Sequence, residues 1–161
     1  MRLVVLVAAV LLAAPLAASG EEQKGFTPGL GEIMTLQQMR HLKLWFAGRA
    51  ANWDLADYEL DELKEGYEDI TKYYPTKDGV PTGTMAEAII AKEVAALAKA
   101  IDGKDKRNFA SGFDRLTAAC NACHQASKHD FIAIKRPSGN PYTNQSFTPA
   151  AGKSDVRHDR H

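Results

Sequence analysis

Hydrophobic and polar residues follow the period of an α-helix along most of the chain. From about position 30 onwards, apolar side chains recur at helical intervals, and no alternating strand pattern is visible. Four segments carry this repeat: about Leu30 to Ala51, Asp54 to Tyr74, Thr84 to Ile101, and Asp105 to Lys135. The sequence therefore predicts an all-α protein. Four helices of this length, joined mostly by short loops, are typical of an up-down-up-down four-helix bundle.

Local signals indicate where the predicted helices begin and end. Asn52 or Asp54 is suited to cap the second helix, and Thr84 begins a capping-box pattern at the third. Gly103 is a plausible C-terminal stop for the third helix. The fourth helix is expected to continue until Pro137 stops it.

Three polar residues interrupt the apolar faces of the first two predicted helices: Gln37, His41 and Glu59. Buried polar groups cost free energy unless they are paired, so partners are expected. One hypothesis is that Glu59, or Arg40 at the margin of the face, hydrogen-bonds His41 and fixes its tautomer. The alternative is that Glu59 lies at the helix edge and is solvated.

A secretory signal peptide is predicted at the start of the chain. Arg2 precedes an apolar run from Leu3 to Leu12, and small residues follow as far as Gly20. A membrane anchor is the alternative, but the apolar run is short for a span of about 20 residues. The predicted organisation is a cleaved signal peptide at 1–20, a four-helix domain at 21–136 and a flexible C-terminal tail at 137–161, in a protein exported to the periplasm.

The charges of the chain are balanced and form no basic stripe. Its 161 residues include 20 basic and 20 acidic side chains. This pattern argues against a nucleic-acid partner. Roughly 140 residues remain after the signal peptide, which is enough for one domain with a core, and they contain no second long hydrophobic stretch that would span a membrane.

The chemistry of the chain is concentrated in the segment Cys120–His124, which reads C-N-A-C-H. This is the pattern of c-type haem attachment. Two thiols at this spacing can reach the two vinyl groups on one edge of a porphyrin, and the next residue places an imidazole under the iron. The two cysteines of the chain are both used in this way, so none is left over. We expect one covalent haem c, with His124 as the proximal iron ligand.

Other interpretations of the two cysteines fit less well. A disulfide across so short a loop removes little entropy from the unfolded chain. A redox dithiol would accompany a βαβ pattern, which is not visible. A structural zinc site needs four ligands in closed geometry. Locally, only Cys120, Cys123 and His124 are available, together with His129, which is expected on the surface.

The chain resembles the class II c-type cytochromes, the cytochrome c-prime group and its low-spin relatives. In that family the C-x-x-C-H motif lies on the last helix of a four-helix bundle, as Cys120–His124 do here, so the resemblance covers roughly positions 30–135. It implies a four-helix fold, one haem and a frequent homodimer. The family's contacts to the haem propionates cannot be carried over. Lys128, Lys135 and Arg136 follow the motif and are either propionate partners or ordinary surface charges.

The sixth position of the iron has three candidate states. In the low-spin members of the family a methionine on the first helix completes the coordination, and Met34 matches that position by resemblance. Methionine is also a common filler of cores. His41 is two turns along on the same face and is the alternative ligand, since neutral imidazole binds iron well. The third state is an open, five-coordinate iron, as in the high-spin members. Met39 falls on the opposite face.

These features predict a periplasmic one-electron carrier that exchanges electrons with redox partner proteins. A Met/His pair raises the reduction potential relative to two histidines and leaves the iron closed. A gas-binding protein of the cytochrome c-prime type and a haem subunit of a larger periplasmic redox complex are the alternatives. No constellation of catalytic acid, base or nucleophile is evident, so an enzyme is not expected.

Overall fold

The computed structural model describes residues 26–150, and within them the protein is helical. The predicted signal peptide and the last eleven residues, 151–161, lie outside the described part of the chain. The helices are α1 (Leu30–Arg49), α2 (Trp53–Tyr73), α3 (Thr82–Ile89), α4 (Ala95–Asp102) and α5 (Lys106–Ala126). A π-helical turn, Ile90–Val94, joins α3 to α4 without a break in the helical backbone.

The prediction of an all-α protein with four helical segments is confirmed, with α3, the π-helical turn and α4 as the third segment. No strand forms between residues 26 and 150, where the extended structure is limited to one isolated bridge between Lys77 and Val80. In the same part of the chain, no helix is both long enough and apolar enough to cross a membrane.

One of the two predicted N-terminal caps agrees with the structure, and a third cap, at Asp105, was not predicted. The Asn52 side chain accepts a hydrogen bond from the Leu55 N–H at 3.3 Å and caps α2. Asp105 caps α5 by accepting hydrogen bonds from two backbone N–H groups of the first turn. The predicted capping box at Thr84 is wrong, because α3 begins two residues earlier, directly after Pro81, and has no side-chain cap.

The prediction that the fourth helix reaches Lys135 is wrong. Helix α5 ends at Ala126, and Lys128 then adopts the left-handed backbone conformation with φ +57°. The His129 N–H donates to the His124 carbonyl at 2.7 Å, which is the long-range bond of a Schellman motif. The chain therefore reverses shortly after the C-x-x-C-H motif instead of continuing along the helix axis.

The core is a cluster of aromatic and aliphatic side chains shared by all helices. Trp45 of α1 packs against Phe113 of α5 with ring centroids 4.8 Å apart. Gly48 allows α1 and α5 to pack closely here, because a Cβ atom at position 48 would overlap the ring of Phe109. The largest completely buried apolar side chains are Phe109, Phe113, Leu44, Leu63, Leu97 and Leu116.

The first part of the tail contacts the outer side of α1. Phe147 is only 9% exposed, and its ring centroid lies 5.7 Å from that of Phe46. The Lys43 ammonium group lies 5.0 Å from the ring centroid of Tyr142. Residues up to 150 are therefore attached to the bundle at two points, while the flexibility predicted for the tail stays a prediction.

Glu59 is paired with Arg40 and not solvated, so the interpretation as a solvated edge residue is wrong. Its side chain is 1% exposed, and Oε2 lies 3.2 Å from Nη1 of Arg40. The other guanidinium nitrogen of Arg40 lies 2.6 Å from Glu62. The hypothesis that Glu59 or Arg40 bonds His41 is also wrong, because the His41 ring bonds Thr117.

Replacing Arg40 by alanine is expected to lower the free energy of unfolding by about 3 kcal/mol at neutral pH, because it leaves the buried Glu59 carboxylate without its partner. Burial raises the pKa of Glu59, and Arg40 opposes that rise. Without Arg40 the folded protein keeps a proton on Glu59 at a pH where the unfolded chain has lost it. The loss is therefore smallest near about pH 5 and grows towards about pH 8. Denaturant unfolding at both pH values measures it.

Glu62→Gln is the matched control for this change, since it removes the more exposed partner of the same guanidinium group. We expect a loss of about 0.5 kcal/mol or less, typical of an exposed ion pair. Equal losses for Arg40→Ala and Glu62→Gln, without a pH dependence in either, would show that the buried contact with Glu59 contributes nothing specific.

Candidate cofactor site

A cavity of about 510 Å³ lies at one end of the helices. Its volume is within the range of about 300 to 1,000 Å³ that cofactor and small-molecule sites occupy. The cavity brings together every residue that the sequence predicts for haem attachment or iron coordination: Cys120, Cys123, His124, Met34 and His41. The surface of its walls is mainly apolar, with contributions from Leu63, Ile70, Ile89, Ile132 and Ile134, although polar side chains and the charged pair Lys77 and Asp78 also line it.

The ends of four helices form the walls of this cavity. Leu30 at the start of α1, Thr82 at the start of α3 and Ser127 directly after α5 all contact it. The end of α2 lies against the start of α1, because the Tyr74 hydroxyl donates to the Pro28 carbonyl at 2.8 Å. A site built from helix ends is accessible from the end of the structure, while its inner wall is the packed core.

Cys120 and Cys123 lie three residues apart on the last turns of α5, so both side chains are on one helix face. Both are free thiols. The Cys120 sulfur is 3.3 Å from the hydroxyl oxygen of Tyr67 on α2. Burial raises the pKa of both thiols. Redox dithiols have a lowered thiol pKa, so this environment does not favour the interpretation as a redox dithiol.

His124 is held with one ring nitrogen available as a ligand. Its Nδ1 atom lies 2.8 Å from the backbone carbonyl oxygen of Ile132. A carbonyl oxygen can only accept a hydrogen bond, so Nδ1 carries a proton, and in the neutral ring the lone pair is on Nε2. A hydrogen bond from the second ring nitrogen to a carbonyl is the usual way in which a metal-binding histidine is oriented.

His41 forms a hydrogen bond through its Nε2 atom. That atom is 2.8 Å from the Thr117 hydroxyl oxygen, which itself donates to the Phe113 carbonyl at 2.8 Å. The hydroxyl has a single proton, so it must accept from His41, and Nε2 is therefore protonated. Burial lowers the pKa of His41 to about 4. His41 is thus a neutral histidine, hydrogen-bonded in the core, at the inner wall of the cavity.

Met34 and Gln37 lie on the side of α1 that faces the cavity. Met34 is half-buried and packs against the core. The Gln37 amide donates to the Leu63 carbonyl of α2 at 2.9 Å. Gly66 makes room for that amide, since a Cβ atom there would lie 2.7 Å from Gln37 Cδ. The hydrogen bond of Gln37 therefore connects α1 to α2. Met34 provides a polarizable sulfur atom on the side of α1 that faces the cavity.

The charged residues after the motif do not gather around the cavity. Arg136 binds Asp114 through Nε at 3.0 Å and lies over the Trp45 ring at 4.4 Å from its centroid. Lys128 and Lys135 are exposed. His129 is exposed as expected, but it also contacts the rim of the cavity, with Nδ1 2.6 Å from the Ser127 carbonyl oxygen.

Three contacts of the site were not predicted from the sequence. Thr117 precedes Cys120 by one helical turn, so helix periodicity alone could have placed it on the cavity face. The contact between Tyr67 and Cys120 joins residues 53 positions apart. The carbonyl of Ile132 could not be found, because that residue was assigned to a continuous helix.

No group of three or more His, Cys, Asp or Glu side chains that could hold a metal ion occurs among residues 26–150. No family model, no curated protein and no solved structure matches this chain.

Proposed function

We propose that this protein is a periplasmic one-electron carrier with one covalent haem c. Cys120 and Cys123 would form the thioether links, His124 would be the proximal iron ligand and Met34 the distal one. The observation that carries the proposal is that a single apolar cavity collects the C-x-x-C-H residues from α5 and Met34 from α1. These residues are up to 90 positions apart in the sequence.

The residues around the cavity fit a haem in three respects. The volume is that of a cofactor site, and both thiols are free. The His124 ring is oriented by Ile132 through Nδ1, which leaves Nε2 as the nitrogen that would bind the iron. When bound, the haem supplies reversible one-electron chemistry at its iron, while the protein determines ligands, access and polarity.

Met34 is favoured over His41 as the second ligand. His41 already uses Nε2 as a donor to Thr117, and the hydroxyl of Thr117 is committed to the Phe113 carbonyl. Binding iron through Nε2 would require this chain of hydrogen bonds to be broken in the core. The Met34 thioether carries no proton that must be lost and has no hydrogen bond to give up.

The contacts between helices support the up-down-up-down arrangement as part of the proposal. Gln37 and Arg40 of α1 meet Leu63 and Glu59 of α2, so positions that advance along α1 go back along α2. The contact of His41 with Thr117 of α5, followed by that of Trp45 with Phe113, shows the same opposite order. Such bundles form cofactor sites from facing helices.

Purification of the full chain from a bacterium that exports and matures c-type cytochromes tests the proposal. We expect a haem that stays with the polypeptide on a denaturing gel and a low-spin absorption spectrum in both oxidation states. A purified, folded protein without covalent haem would overturn the proposal. A high-spin spectrum that changes readily with carbon monoxide would favour the gas-binding alternative, and a second chain that copurifies would favour a subunit of a larger complex.

A further inference from the structure

The chain between Ser127 and Ile134 is a return segment that is attached to α5 at both of its ends. At its start, the Schellman motif joins His129 to the His124 carbonyl. At its other end, the Asn121 side chain donates to the Ile134 carbonyl and accepts from the Ile134 N–H, both at 2.8 Å. The amide of Asn121 thus pairs with the backbone of Ile134 as a neighbouring peptide group would.

The hydrogen bond that orients His124 comes from the middle of this return segment. The Ile132 carbonyl accepts from His124 Nδ1 at 2.8 Å, and the Ile132 N–H donates to the His129 carbonyl at 2.9 Å. The position of the Ile132 carbonyl therefore depends on what holds the segment at either side of it.

Side-chain packing contributes little to holding the segment in place. Phe131 is 78% exposed, and Ile132 is 42% exposed and borders the cavity, so neither of the apolar side chains nearest to the oriented carbonyl is buried in the core. Hydrogen bonds to α5 must therefore supply most of the order. Asn121 makes two of them at one backbone residue, only two positions beyond Ile132.

We propose that Asn121 is a positioning residue for the proximal ligand, which acts on His124 through the return segment. This inference rests on the proposed haem function. It gives the first variable position of the C-x-x-C-H motif a role beyond spacing. The amide holds Ile134, Ile134 holds the Ile132 carbonyl in register, and that carbonyl fixes the orientation of the imidazole and increases its basicity.

The effect of this hydrogen bond on the reduction potential of a bound iron has a predictable direction. A histidine that donates from Nδ1 to a carbonyl is a stronger electron donor, which favours the oxidised state of a bound metal. Asn121→Ala removes both bonds to Ile134 and lets the Ile132 carbonyl move away from His124. We expect the reduction potential to rise, so that the ratio of reduced to oxidised protein at a fixed potential increases by about tenfold.

The experiment compares holoprotein of wild type, Asn121→Ala, Asn121→Gln and Gln125→Ala. The control residue Gln125 is an exposed amide on the same helix end. Redox titration gives the potential. NMR of the reduced protein gives the rate at which the His124 Nδ1 proton exchanges with deuterium, a measurement that does not depend on electron transfer. Asn121→Ala is expected to exchange about tenfold faster than wild type, in line with the loss of an outer hydrogen bond.

The outcomes separate this inference from the function on which it rests. Asn121→Gln keeps the donor and the acceptor of the amide and displaces them by one methylene, so its values are expected between those of wild type and alanine. If Asn121→Ala carries covalent haem but shares the potential and the exchange rate of wild type and Gln125→Ala, the positioning role is refuted while the haem function stands. Absence of haem from the wild type itself refutes the function.

Discussion

Replacing both Cys120 and Cys123 by alanine is expected to abolish covalent haem completely while the helices remain. The thioether links need both sulfur atoms, and the other contacts of the cavity can hold a haem only reversibly. Neither cysteine belongs to the buried core around residues such as Phe113 and Leu116, and the hydrogen-bond contact of Cys120 with the core is to the Tyr67 hydroxyl. Haem staining of a denaturing gel measures attachment, and circular dichroism measures helix content.

Ala122→Ser is the matched control for the double cysteine variant. Ala122 lies between the two cysteines and is exposed, so serine changes the motif without changing its spacing. It should retain the haem band at the intensity of wild type. A haem band that survives denaturation in the double alanine variant would mean that the cofactor is attached elsewhere or is not a haem c.

The second large effect is expected for Met34→Ala. If Met34 binds the iron, its removal should convert the low-spin protein to a high-spin one that binds carbon monoxide, and the reduction potential should fall, because methionine ligation raises it. The weak far-red absorption band of Met-ligated ferric haem should disappear entirely. Absorption spectra of the oxidised and reduced protein, with and without carbon monoxide, record all of these changes.

Met39→Ala controls for the loss of a methionine from the same helix. Met39 is half-buried on α1 but does not contact the cavity, so the spectrum should remain that of wild type. A low-spin spectrum in Met34→Ala would assign the sixth position to His41 instead, in spite of its bond to Thr117. A wild-type protein that is already high-spin would make Met34 a packing residue.

Much of the fold was predictable because helices are local structures. The repeat of apolar residues located the four helical segments, and capping side chains such as Asn52 and Asp105 act on backbone groups within one turn. The end of α5 was not predictable in the same way. The residue with left-handed backbone conformation there is Lys128. A glycine at that position would have indicated the end of the helix in the sequence.

In the candidate site, too, local features could be predicted from the sequence and contacts between distant residues could not. The C-x-x-C-H motif, which we propose attaches a haem, could be located from the sequence alone because its spacing lies within one helix turn, and helical periodicity placed the candidate distal ligands Met34 and His41 on one face of α1. The tautomer of His41 and the orientation of His124 became visible only in the folded chain. The first depends on Thr117 at a separation of 76 positions, and the second on a carbonyl in a chain reversal. Such contacts form when separate helices pack and the chain turns back, and no periodic pattern of side chains encodes their partners.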